Sequence, residues 1–211
     1  MESIHGRNEE TARELNKQLT DKGVFTVNLM GAPGVGKTSA LIQMIPNLQL
    51  SASVIEGDIE SSLDTEKLMN LGIKTVQINT GGACHLDSPF ILEASAKLAL
   101  DRGFLFIENI GNLVCPAEFE IGEHIKMLIS SVTEGSDKPY KYPLAFEKAD
   151  IILLNKCDLL EYVDFDSEFF MNGIRKLNPT VPVFRTSGKT GKGFDEAVNW
   201  LIKKAHSVTK K

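Results

Sequence analysis

Residues 31–38 read Gly-Ala-Pro-Gly-Val-Gly-Lys-Thr, and this octapeptide restricts the chain to folds in which a strand turns through a phosphate cradle into a helix. The pattern G-x-x-x-x-G-K-[ST] is met in full. The apolar run 24–30 before it reads as a buried strand, and 39–44 after it is compatible with helix. Glycines let such a loop wrap closely around phosphate oxygens with its N–H groups pointing inward, and the helix start adds the positive end of its dipole. Gly34, Val35, Gly36, Lys37, Thr38 and Ser39 are therefore the expected phosphate contacts. Lys37 would reach the β- and γ-phosphates as a catalytic group, and the Thr38 hydroxyl would ligate Mg²⁺.

The rest of the chain fits that architecture. Apolar runs at 24–30, 52–56, 74–79, 104–108, 126–132, 150–154 and 182–186 alternate with helical stretches at 37–46, 62–71, 88–101, 167–177 and 193–206. Alternation of this kind predicts an α/β fold of the P-loop NTPase type: three layers, a mostly parallel sheet, and helices on both faces. A charged segment with sparse apolar positions (Ala12, Leu15, Leu19) predicts an amphipathic N-terminal helix over 8–22, within 1–23, ended by Gly23. At 211 residues, with no repeat and no linker, the chain reads as one GTPase domain over 1–211. Residues 133–143 are rich in turn formers and read as a mobile surface loop.

A net charge of −5 argues against nucleic acid or anionic membrane as a partner. There is no apolar run of membrane-spanning length and no secretory leader. Three cysteines, an odd number, make a disulfide framework a poor reading. A cytoplasmic protein with reduced thiols is expected.

Asn155-Lys156-Cys157-Asp158 follows the apolar run 150–154, and N-K-x-D at a strand end is a guanine-reading pattern. The Asp158 carboxylate can accept from both N1–H and the exocyclic amine of guanine, a pair that adenine does not offer. Lys156 would lie across the base and Asn155 would brace the loop. Ser187-Gly188-Lys189 supplies the second guanine-side loop, with glycine where alanine is usual. GTP is thus the expected nucleotide, and Cys157 fills the free position of the motif. Two carboxylates are placed for metal and water: Asp58, in Glu56-Gly57-Asp58 with Ser61 and Asp64 beyond, and Glu108 at the end of its strand. Asp58 is the better switch residue and a Mg²⁺ ligand candidate. No glutamine or arginine finger is evident, so slow intrinsic hydrolysis is expected.

Cys84-His85 follows one strand and Cys115 another. Thiolate and imidazole suit zinc and nickel. Three ligands on two loops do not close a tetrahedral structural site; they fit an open, exchangeable site or one completed by a second subunit. His124 reads as a surface or loop histidine.

In these segments the chain resembles the HypB family, the GTPases that assist nickel insertion into nickel–iron hydrogenase. The specific parts are Ala-Cys-His-Leu-Asp at 83–87, Phe-Ile-Glu-Asn-Ile-Gly-Asn-Leu-Val-Cys-Pro at 106–116, and Glu-Gly-Asp at 56–58 with Asp64 beyond. The resemblance covers nearly all of 5–205. It implies that Cys84, His85 and Cys115 are the metal site of the GTPase domain. It also implies that GTP promotes a two-fold dimer with metal at or near the interface, and that nickel passes toward the hydrogenase large-subunit precursor with help from a small zinc-containing partner, HypA. Many family members begin with a cysteine- or histidine-rich nickel motif; here only His5 precedes Cys84, so tight N-terminal nickel storage is not expected. Ser61 stands where threonine is usual, and Thr65 where alanine is usual. The alternatives are a urease-type nickel chaperone GTPase, whose Cys-Pro-His order is absent, and a GTP-regulated interaction protein with no nickel cargo. A small-molecule kinase is disfavoured by the guanine pattern.

Overall fold

The computed structural model describes residues 4–58 and 63–209. Seven strands form one sheet: β1 (Val24–Met30), β2 (Ala52–Asp58), β3 (Lys74–Asn79), β4 (Gly103–Glu108), β5 (Ile125–Ser131), β6 (Ile151–Asn155) and β7 (Val183–Arg185). Their spatial order is β3-β2-β4-β1-β5-β6-β7. The sequence predicts a mostly parallel sheet; among the described residues every pairing between the seven strands is parallel. This follows from helical crossovers on both faces, which bury the strands twice and leave continuous apolar runs. Strands β1, β4 and β5 are buried at every position.

The helices are α1 (Ile4–Asp21), α2 (Lys37–Met44), α3 (Leu63–Asn70), α4 (Ser88–Lys97), α5 (Cys115–Glu118), α6 (Lys138–Lys141), α7 (Pro143–Glu147), α8 (Ser167–Leu177) and α9 (Phe194–Val208). On one face, Phe25, Val27, Leu29, Phe106 and Met127 pack under α2 and α9 through Leu41, Met44, Phe194 and Leu201. On the other, Ile55, Leu105 and Ile107 meet Leu15 and Leu19 of α1 and Ile91 of α4. Leu128, Ile152 and Leu154 meet Phe146 of α7 and Phe170 and Ile174 of α8. Each fully buried side chain of this size stabilises the fold by about 1.5–3 kcal/mol relative to exposure.

Two expectations of local structure change. Helix α4 stops at Lys97 rather than 101, because Ala99 takes φ 44 and breaks the ladder. Residues 133–143 form a 3₁₀ turn and short helices where an irregular loop is expected. Ser131 and Glu134 close a capping box over the 3₁₀ turn Val132–Glu134, and Lys138 pairs with Glu134 at 3.6 Å. Tyr140 stacks on Phe169 with centroids 4.4 Å apart and donates its hydroxyl to the Phe169 carbonyl at 3.1 Å. The Ser-x-x-Glu spacing carries that signal; turn-forming composition masks it.

Because all strands run one way, the segments after β1, β2, β3, β4, β6 and β7 emerge at one edge. The order switches at β1, between β4 and β5, where ligands settle in open α/β sheets. Among the described residues no helix is long and apolar enough to cross a membrane.

Candidate functional site

The loop 31–36 leaves β1 and enters α2 through Gly36, which sits at φ 95 as the helix N-cap, with Gly34 at φ 75 before it. Only glycine adopts both without strain. A Cβ at Gly36 would lie 2.6 Å from Asn155 Nδ2, so the site also needs the space. Lys37 is buried, its Nζ 3.5 Å from the Gly31 carbonyl. Thr38 donates its hydroxyl to Glu108 Oε1 at 3.0 Å. An open cleft here is lined by Gly34, Gly36, Thr38, Ser39, Lys67 and Glu108. A hydroxyl and a carboxylate meeting beside a lysine and loop amides form a donor set that fits Mg²⁺ and phosphate. Lys67, from α3, is a cation that no motif pointed to.

Asn155 joins the phosphate loop to the base-side loops. Its Nδ2 donates to the Val35 carbonyl at 2.8 Å, and its Oδ1 accepts from Gly188 N at 3.0 Å and the Thr186 hydroxyl at 3.3 Å. Lys156 takes φ 59, a left-handed conformation that turns the chain toward Asp158. The Asp158 carboxylate accepts from the Ser187 hydroxyl at 2.6 Å. Lys189, two residues beyond Ser187, is exposed. Cys157 donates to the Leu154 carbonyl at 3.1 Å, and burial raises its thiol pKa; it packs rather than reacts.

The acidic loop is only partly described. Asp58 closes β2, but its side chain, Ser61 and the Asp64 side chain lie outside the described side chains. Glu56 is buried and stands level with Glu108 on the neighbouring strand. Thr65, where alanine is usual, donates its hydroxyl to the Glu56 carboxylate and ties α3 to β2.

Cys84, His85 and Cys115 do come together: their ligand atoms all lie within 4.8 Å of one another. Cys84 Sγ is 3.1 Å from Cys115 Sγ and 3.4 Å from His85 Nδ1. The hydrogen bond to Cys115 raises the thiol pKa of the exposed Cys84, a shift that a bound cation would reverse by holding the thiolate form. The His85 ring stacks on Phe119, centroids 4.0 Å apart, four residues beyond Cys115. Asp87 caps α4 through the Phe90 amide at 3.4 Å, anchoring the loop behind the ligands. Asn109 and Asn112 lie within the segment 106–116, which does not assign them a role, and Phe119 lies beyond it. For Phe119 a signal exists: the i, i+4 spacing from Cys115.

His124 lies on a loop, as expected, but its ring is turned inward. Nδ1 accepts from Thr26 N at 2.9 Å, Nε2 lies 2.8 Å from the Thr20 hydroxyl, and the ring stacks on Phe25 at 5.1 Å. Burial lowers its pKa to about 4 against the pull of Glu123.

The family profile described as "CobW/HypB/UreG, nucleotide-binding domain" matches residues 25–185. The chain is 44% identical over 201 residues to hydrogenase maturation factor HypB of Rhizobium leguminosarum bv. viciae, covering 94% of this chain and 67% of that one. It spans about two thirds of the length of such relatives. It is 35% identical over 210 residues to hydrogenase/urease maturation factor HypB of Helicobacter pylori, covering 97% and 86%. Among solved structures, HypB from Helicobacter pylori in complex with nickel superposes with a TM-score of 0.92 at 34% identity, covering 97% of this chain and 98% of that one. Hydrogenase maturation factor HypB from Archaeoglobus fulgidus gives 0.88 at 36%, covering 94% and 98%. Fold, profile and identity over nearly its whole length agree: the chain belongs to the HypB family of P-loop nucleotide-binding proteins.

Proposed function

We propose that this chain is a GTP-hydrolysing nickel metallochaperone that assists nickel insertion during hydrogenase maturation. One observation carries the reading: a cysteine–histidine–cysteine trio within 4.8 Å, on loops leaving the same sheet edge as the phosphate loop. Three soft donors, with Cys84 exposed, suit an ion that must leave again, and leave room for a donor from a second copy. Zinc suits the same donors. Nickel is preferred because the Helicobacter pylori HypB, similar over nearly the whole chain, has been solved in complex with nickel.

In this reading Lys37 and the amides of 34–38 hold the phosphates. Thr38 and Glu108, with Asp58, hold Mg²⁺, which when bound neutralises charge on the γ-phosphate. Glu108 keeps Thr38 oriented, Asp158 selects guanine, and Asn155 braces both loops. GTP favours a homodimer, hydrolysis loosens it, and a HypA-type partner receives the metal on its way to the hydrogenase large-subunit precursor.

The test is nickel titration into metal-free protein, with GDP and then a non-hydrolysable GTP analogue, following dimerisation by sedimentation. Binding lost in Cys84→Ala, with nucleotide-dependent affinity or association, is the expected result. Nucleotide-driven dimerisation with no exchangeable nickel would leave a GTPase without this cargo.

A further inference from the structure

The segment between Glu108 and Cys115 grips the metal loop at two points. Asn109 Oδ1 accepts from the Leu86 amide at 3.2 Å and the Ile110 amide at 2.9 Å, while its Nδ2 donates to Asn28 Oδ1 at 3.1 Å. Asn112 Nδ2 donates to the Cys84 carbonyl at 3.2 Å, and its Oδ1 accepts from the Val114 amide at 2.9 Å, next to Cys115. Two carboxamides thus hold the backbone at the residues on either side of His85.

The same segment leans on the phosphate loop. Asn112 pairs with Gly31, the first residue of that loop, in an isolated antiparallel bridge. Beside it, a Cβ at Gly111 would lie 2.8 Å from Pro33 Cγ and 3.0 Å from Pro33 N, so the two backbones touch with no side chain between them. Contact this close transmits displacement instead of absorbing it. Asn112 is therefore joined through its backbone to the phosphate loop and through its carboxamide to both cysteine-bearing segments.

We infer that Asn112 is the positioning residue through which the phosphate loop sets the spacing of Cys84 and Cys115, and so makes metal affinity depend on the bound nucleotide. This rests on the metallochaperone reading above and names the part that couples its two sites. Two substitutions separate the contacts. Asn112→Asp keeps the acceptor for the Val114 amide but loses the donor to the Cys84 carbonyl. Asn112→Ala loses both and keeps the backbone bridge.

Ni²⁺ is titrated into wild type and both variants, each loaded with GDP or a non-hydrolysable GTP analogue, reading affinity and the thiolate-to-nickel charge-transfer absorption. GDP affinity is measured alongside as a check on the phosphate loop. In wild type the two nucleotide states are expected to differ by about 5–150-fold in nickel affinity, the usual range of coupling between sites. In Asn112→Asp that ratio falls to within about twofold, with GDP affinity retained and the charge-transfer band shifted; nickel binding itself weakens by about 10–100-fold, as when an outer partner of a metal ligand is lost. Should Asn112→Asp not fold, Asn112→Ala supplies the same comparison. A variant that keeps the wild-type ratio and band overturns the inference while leaving the metallochaperone reading intact. A wild type that binds nickel equally in both nucleotide states overturns the inference and removes the switch from that reading. A wild type that binds no nickel refutes both.

Discussion

Acidification should loosen the seam between α1 and the start of β5, and His124 sets where. Its neutral ring accepts from Thr26 N at Nδ1, leaving Nε2–H to donate to the Thr20 hydroxyl, which in turn donates to the Asn16 carbonyl at 2.7 Å. Burial holds the folded pKa at about 4 against an ordinary 6.5. The folded state therefore disfavours the charged form, and the unfolded chain takes up its proton first. Stability is intact above about pH 6.5 and is lost as pH falls toward about 4. Between about pH 7 and pH 5 the two titrations differ by about 2 kcal/mol. Solvent reaching this half-buried ring trims that to between about 1 and 2 kcal/mol. The surrounding cleft is lined by Arg13, Glu120, Glu123, Lys126, Lys148 and Asp150, all retained in His124→Gln, so their contributions cancel in a difference measurement. Urea denaturation of both proteins at the two pH values is the assay. Wild type should lose about 1–2 kcal/mol more than the variant. Parallel losses would refute the argument that burial of this ring, and not the general charge of the chain, sets the slope.

The other predictions concern the nucleotide. Gly36→Ala forces a side chain onto φ 95 and places its Cβ against Asn155 Nδ2. The backbone penalty of about 1–2 kcal/mol plus a lost hydrogen bond of about 1 kcal/mol should weaken GDP binding by about 30–150-fold, read with a fluorescent analogue; unchanged affinity would mean that the loop is not the phosphate cradle. Glu108→Gln keeps an acceptor for Thr38 but removes the charge facing the phosphate cleft. Mg²⁺-dependent GTP turnover should drop by about 100-fold, with Mg²⁺-free GDP binding within about threefold of wild type, the size of effect seen when one preorganised electrostatic group is removed.

The central strands were legible because parallel, doubly covered strands need uninterrupted apolar runs, and 24–30 matches its observed bounds; the edge strand 74–79 also matches its bounds, though its polar residues leave it half-buried. The phosphate loop and the N-K-x-D turn were legible because each needs fixed residue types at fixed spacing. The cysteine–histidine trio was legible in its members but not its closure, since Cys84 and Cys115 lie 31 positions apart and only the sheet order brings them within 3.1 Å. The roles of the supports were not legible, although Asn109 and Asn112 lie in the segment 106–116. Asn109 and Asn112 act through single carboxamide bonds to backbone that any sequence provides, and Phe119 through a ring stacked on His85. His124 illustrates the converse: a polar residue on a loop can be turned inward when both ring nitrogens find partners.

Asn155 directs its carboxamide bonds inward, to Val35, Thr186 and Gly188. Such bonds lower the ordering cost of nucleotide entry, because they fix the phosphate side against the base side through the protein itself. Assembly of the phosphate loop against the base-side loops should therefore add no slow phase to nucleotide association, whose rate should rise with ligand concentration.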